Sequence, residues 1–145
     1  MNKLRQKLES HSFPTLGAMM EGYAQAAVET ARSDYRQTLD YSPESINTLD
    51  ELIVLISETV DIDLDFESRL WGSYLGEVIR TRYAGSWEMT QYPGGQVAVP
   101  AVEVRGSRLF PLMKIYRRLT NGEEEDLRTF YNMVTERLGN PAQVN

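Results

Sequence analysis

Apolar residues recur at spacings of three and four through most of the chain, and the pattern changes only near residues 87–110. Leu4 and Leu8 predict a short, frayed helix within residues 1–12. Ser12 is a candidate cap, with Pro14 in the first turn. A helix is then expected from Thr15 to about Leu39, on the spacing of Leu16, Met19, Met20, Tyr23, Ala26, Ala27, Tyr35 and Leu39. Ser42 and Pro43 start a second long helix reaching Thr59, with Ile46, Leu49, Leu52, Ile53 and Ile56 as its apolar stripe. A third runs from about Phe66 to Tyr83 on Leu70, Trp71, Tyr74, Leu75, Val78, Ile79 and Tyr83, with Gly85 as its stop.

Beyond Gly85 the period shortens to two. Trp87–Tyr92 alternates as a strand, and Pro93-Gly94-Gly95 is a turn signal. Residues 97–99 and 101–104 read as strand, with Pro100 demoting their junction to an edge or bulge. Arg105–Arg108 is a second turn, and Leu109-Phe110 a short third strand. Pro111 opens a helix through Leu112, Ile115, Tyr116 and Leu119 that stops at Asn121-Gly122. A last helix is expected from about Glu123 to Leu138 on Leu127, Phe130, Tyr131, Val134 and Leu138. The expected fold is a helix-dominant α+β single domain, residues 1–145. Its small antiparallel β-meander (about residues 87–110) packs on helices, and residues 1–12 and 140–145 are frayed.

With 145 residues, one domain can bury roughly 70% of its unfolded surface and needs no staples. No cysteine is present, which excludes a disulfide framework, a thiolate metal site and a cysteine nucleophile. The lone His11 cannot serve a histidine-rich metal site, no G-x-S-x-G stretch marks a nucleophilic serine, and no cofactor is implied. A net charge of −6 argues against nucleic-acid binding. The longest apolar run, Leu52–Ile56, is far short of the ~20 residues that span a bilayer. The amino-terminal residues lack a signal peptide's apolar region. A cytoplasmic, membrane-free protein is expected.

Three constellations invite a chemical reading. Asp61, Asp63, Asp65 and Glu67 alternate like the start of a calcium loop, but positions six and twelve hold Phe66 and Gly72 instead of glycine and glutamate. No metal site follows, and helix-capping acids are the plainer reading. Gly72 and Gly76 lie on one helix face, where each costs about 1 kcal/mol relative to alanine. Close approach of a second backbone, such as the Ala24–Ala27 stretch, is the physical reason expected. Trp71, Tyr74, Glu77, Arg80 and Trp87 are either the lining of a pocket or a structural anchor built around Glu77. No second titratable group stands at a spacing that would make Glu77 a general acid or base.

Nine of the 21 acids and none of the 15 bases fall between Gln37 and Ser68. Arg105, Arg108, Lys114, Arg117 and Arg118 form a basic stretch without an acid. The plain reading is solubility and internal charge complementarity. The sharper one is an acidic face, carried by Glu58, Asp61, Asp63, Asp65 and Glu67, that captures a basic protein by electrostatic steering.

Residues 39–46 with Leu49-Asp50, residues 71–80 with Trp87, and residues 116–122 together resemble a group of small bacterial domains without an assigned activity. Their pattern is a D-Y-S-x-E-S helix start, a W-G-x-Y-x-G-E helix, a tryptophan-bearing strand and an R-L-x-N-G stop. The resemblance covers about residues 39–135 and excludes the amino-terminal helices. Some small acidic bacterial domains of this kind are immunity proteins that neutralise toxins. The expectation is therefore a non-catalytic protein that binds another protein, in its concrete form an immunity-like inhibitor of a basic, toxin-like partner. The alternatives are a small-ligand or enzymatic domain with a pocket at Trp71, Tyr74, Glu77 and Trp87, and a structural subunit of an oligomer.

Overall fold

The computed structural model describes residues 3–141. Six helices and one three-stranded antiparallel sheet follow the expected order, and the fold is helix-dominant α+β. Helix α1 (Lys3–Ser10) buries Leu8. Helix α2 is Leu16–Tyr35. Its cap is Thr15, whose hydroxyl accepts from Ala18 N at 3.0 Å, so neither Ser12 nor Pro14 sets its start. It ends at Arg36, which takes a left-handed conformation with φ 56°, so Leu39 is buried outside the helix. Helix α3 (Ser45–Ser57) begins two residues after Pro43. Asp40 first holds Ser42 in a turn, and Ser42 Oγ accepts from Ser45 N at 3.1 Å.

Helix α4 (Leu64–Tyr83) starts earlier than expected because Asp63 Oδ1 accepts from Phe66 N at 3.1 Å. Asp65 and Glu67 in the first turn then favour the positive end of the helix dipole. Ala84, at φ 56°, makes the left-handed stop. Gly85 serves another need: a Cβ there would stand 2.9 Å from Glu103 O. Strands β1 (Ser86–Gln91), β2 (Ala98–Val104) and β3 (Ser107–Leu109) lie in chain order, with Trp87 opposite Val102 and Val102 opposite Leu109. Pro100 sits inside β2 opposite Met89, on a stretch that β3 does not reach, so it breaks no central ladder. Helix α5 (Pro111–Asn121) is as expected, except that Tyr116 is exposed. A 3₁₀ turn, Gly122–Glu125, precedes α6 (Leu127–Leu138), which Asp126 caps through Thr129 N at 2.7 Å. The capping signal at Asp126 places the helix start four residues beyond Glu123. The expected fraying after Asn140 falls largely on residues 142–145, which lie outside the described residues.

Helix α4 runs through the centre, with thirteen of its twenty residues buried. Helix α2 packs along it through Met20, Ala24, Ala27 and Ala31, all fully buried. Helix α5 and β2 cover other faces, and α3 packs on α5 and α6. Gly72 and Gly76 do not meet the alanines of α2, contrary to the expectation. A Cβ on Gly72 would stand 2.6 Å from Leu112 Cα at the start of α5, and one on Gly76 would stand 2.2 Å from the Trp87 ring. The two glycines admit the start of α5 and one indole.

Gly72→Ala should therefore destabilise the protein by about 1–3 kcal/mol or more, because backbone meets backbone and no side chain can yield. Gly17→Ala, whose Cβ would make only an ordinary contact with Thr15 Oγ1 at 3.9 Å, should be neutral or stabilising by up to ~1 kcal/mol. Urea unfolding of the two variants checks this; a Gly72→Ala protein as stable as its parent would refute the α4–α5 approach.

Candidate functional site

The residues singled out from sequence separate into three places. Tyr74 is fully buried, and its hydroxyl accepts from Tyr41 N at 2.7 Å and bonds Ser45 Oγ at 2.7 Å. It thus ties the centre of α4 to the turn that starts α3. Burial raises its pKa, as it does that of Tyr41, which is pushed up to about 12 by burial first and by the charges of its neighbours second. Both phenols stay protonated at neutral pH.

Glu77 is 3% exposed and fully engaged. It accepts from Arg80 Nε at 2.6 Å and Arg80 Nη2 at 2.9 Å, and from Trp87 Nε1 at 2.7 Å. The bond to Glu77 raises the Arg80 pKa. A carboxylate holding a guanidinium by two bonds and an indole by a third is a poor general base, because its lone pairs are already occupied. The anchor reading of Glu77 fits this geometry. An open groove of about 670 Å³ passes beside it, lined by Glu21, Gln25, Tyr41, Glu77, Arg80 and Thr81. Trp71, Tyr74 and Trp87 do not line that groove, so the five residues do not form one pocket. Trp71 is fully buried elsewhere, edge-on to Tyr35 with ring centres 6.5 Å apart.

Trp71 instead faces Glu67, one turn earlier on α4. Trp71 Nε1 and Glu67 Oε2 are both buried, and neither completes a hydrogen bond. Burial raises the Glu67 pKa, and the indole N–H offsets this only in part. Glu67 therefore turns inward and leaves the acidic face. Asp63 is engaged as the cap of α4 and in an ion pair with Arg5, and both hydrogen bonds lower its pKa. Glu58, Asp61 and Asp65 are exposed and make no ion pair among the described residues.

Exposed aliphatic residues stand among these free acids. Val54 is 37%, Leu55 54% and Val60 82% exposed, on the outer side of α3 and in the turn after it. Glu51 on α3 and Glu58 just past its end, each about one turn from Val54 and Leu55, are exposed and unpaired among the described residues. The sequence carried a signal for this: an amphipathic helix cannot bury five consecutive apolar residues, so part of Leu52–Ile56 must face water.

The basic stretch is spent inside the molecule. Arg118 Nε donates to Asp50 Oδ1 at 2.9 Å, both residues being 4% exposed. Asp50 Oδ1 also accepts from Leu127 N at 3.0 Å, the first amide of α6. Lys114 and Arg117 share Glu125, at 3.2 and 2.9 Å. Arg108 pairs with Glu88 at 2.8 Å, and Arg105 donates to Leu138 O at 2.6 Å. Among the described residues no group of three or more carboxylates and imidazoles could hold a metal, and no helix is long and apolar enough to cross a membrane. No family model, curated protein or solved structure matches the chain.

Two isosteric changes ten residues apart should act in opposite directions. Glu77→Gln keeps an acceptor for Trp87 but deprives Arg80 of its counter-charge, and should cost about 1–3 kcal/mol. Glu67→Gln should stabilise the protein at pH 7. Its raised folded pKa means that the charged form disfavours folding at neutral pH, and that this effect disappears once the group is protonated. The gain should fade as the pH falls through the raised folded pKa and be gone below the ordinary glutamate value of 4.5. Melting temperatures of both variants between pH 4 and 7 check this; a Glu67→Gln protein less stable than the parent at pH 7 would show that the carboxylate is needed as an anion.

Proposed function

We propose that the chain is a non-catalytic binding protein that engages a basic protein partner through the outer face of α3 and the turn after it. One observation carries this reading: Val54, Leu55 and Val60 are exposed among Glu51, Glu58 and Asp61, in a segment without a single lysine or arginine. Aliphatic residues at the centre with charged residues around them is the layout of a protein interface. The free acids supply steering toward a positive surface, and none of Glu51, Glu58 and Asp61 is neutralised by an ion pair among the described residues. Of the acids expected on this face, Glu58 and Asp61 remain its core. Asp65 borders a groove between α2, α4 and α5 instead, and Asp63 and Glu67 contribute little.

The same charges disfavour pairing with a second copy. A two-fold contact through α3 would bring Glu51 and Glu58 of each chain against one another. That weighs against the oligomer-subunit reading for this face. The resemblance to small bacterial domains makes an immunity-like inhibitor of a basic, toxin-like protein the concrete form of the proposal, acting in the cytoplasm.

The test is a pull-down from the protein's own host with three baits: the parent, a variant carrying Glu51→Lys, Glu58→Lys and Asp61→Lys, and a control carrying Glu124→Lys and Glu136→Lys. The parent and control should capture the same basic protein in stoichiometric amount, and the α3 variant should lose it. Leu55→Asp should abolish capture while changing stability by no more than about 0.5 kcal/mol. Raising the salt concentration should weaken capture. Equal capture by the α3 variant, or no partner at low salt, would overturn the reading.

A further inference from the structure

A second feature of the molecule is independent of the α3 face. A groove of about 550 Å³ opens between α2, the first half of α4, β1, the start of β2 and α5. That is within the ~300–1,000 Å³ of small-molecule sites. Its walls include Met19, Met20, Met89, Met113, Val99 and Leu112, four of them drawn from the chain's six methionines. Thioether side chains have three rotatable bonds and adapt to an entering apolar group. Met89 and Tyr116 at its rim are 54% and 36% exposed.

Two polar groups of α4 stand at this groove without a hydrogen-bonding partner among the described residues. Ser68 lines it and is 7% exposed, yet its Oγ is buried with no hydrogen bond. Arg69 also lines it. Its guanidinium lies 5.8 Å from the Tyr23 ring centre and makes no ion pair or hydrogen bond among the described residues. Asp65, one turn earlier, borders the groove and is exposed. An unsatisfied hydroxyl in an apolar wall is unfavourable unless something bonds it. A hydroxyl and a guanidinium carried by two residues that line the same groove can both donate to one carboxylate. Asp65 sets the limit on charge: a dianion would be repelled, whereas a monoanion is outweighed by Arg69.

We propose that this groove binds a free long-chain monocarboxylate, a fatty acid, with its head accepting from Ser68 Oγ and the Arg69 guanidinium and its alkyl chain lying along the methionine wall. Binding of octanoate, decanoate and dodecanoate, each below its micelle concentration, is measured by calorimetry and by ligand-induced rise in melting temperature. Affinity should increase about tenfold for each two carbons added. Arg69→Gln should weaken dodecanoate at least about tenfold. Ser68→Ala should weaken it severalfold without lowering the melting temperature of the ligand-free protein, an outcome that a structural hydroxyl would not give. Asp65→Asn, an exposed change that leaves the buried groups intact, should tighten it. Dodecyltrimethylammonium should not bind. Equal binding of that cation, indifference of dodecanoate to Arg69→Gln and Asp65→Asn, absence of saturable binding, or association with phospholipid vesicles alone would each overturn the proposal.

Discussion

A helix that runs through the middle of a domain cannot send its polar side chains to water, and α4 obeys that constraint over its central turns. Tyr74 and Glu77 are buried there, and each recruits a partner from a different element: Ser45 and the Tyr41 amide at the start of α3, and the Trp87 indole on β1. Ser73 bonds back to Arg69 O at 2.6 Å and touches Met20 of α2 at 3.4 Å. These contacts fix where the neighbouring elements sit. Gly72 and Gly76 do the complementary task, leaving room for the start of α5 and for the indole that Glu77 holds. The sheet is too small to persist alone, and it gains its place through Trp87.

The periodic elements were legible because burial of one face demands the period that the residues display. The ends of helices were less so. Ser12 and Thr15 are both chemically fit to cap α2, and only Thr15 meets an amide in reach. The partners of polar residues were least legible, since a hydrogen bond across 68 positions, Arg118 to Asp50, leaves no local trace. That pair also closes the first amide of α6, which explains why a carboxylate is tolerated 4% exposed in α3. The stretches that carry the family resemblance contain Tyr41, Ser45, Asp50, Tyr74, Glu77, Trp87 and Arg118, the same residues that join α3, α4, β1, α5 and α6. They describe how the domain is held together, and that is why they are silent on what it binds. The methionine groove was illegible for another reason: five elements each contribute one or a few residues to it.

Charge is distributed by the same logic. A chain with a net charge of −6 could spread its acids evenly, but here Arg108, Lys114, Arg117 and Arg118 find acidic partners within the chain while most acids of residues 40–65 do not. The expected internal complementarity holds for the basic stretch and fails for the acidic one. Buried and half-buried pairs such as Lys114–Glu125 hold elements together, whereas exposed, unpaired acids add little to stability.

The rigidity of α3 bears on what its outer face can do. Its inner side is pinned by Ile46, Leu49, Leu52, Ile53 and Ile56, each at most 2% exposed, and by the Asp50 carboxylate bonded to α5 and α6. Glu51 is the next residue after that anchor, and Val54 and Leu55 lie between two buried members of the stripe. Their backbone positions are therefore set before any partner arrives. Beyond the helix, Asp61 takes a left-handed conformation with φ 58°, which turns the chain sharply after Val60 and leads it into the Asp63 cap of α4. A surface whose backbone is already ordered avoids the entropy cost of ordering that backbone in any contact it makes. For the interface proposed on α3, the network that stabilises the domain also holds the backbone of that helix and of the turn after it in place.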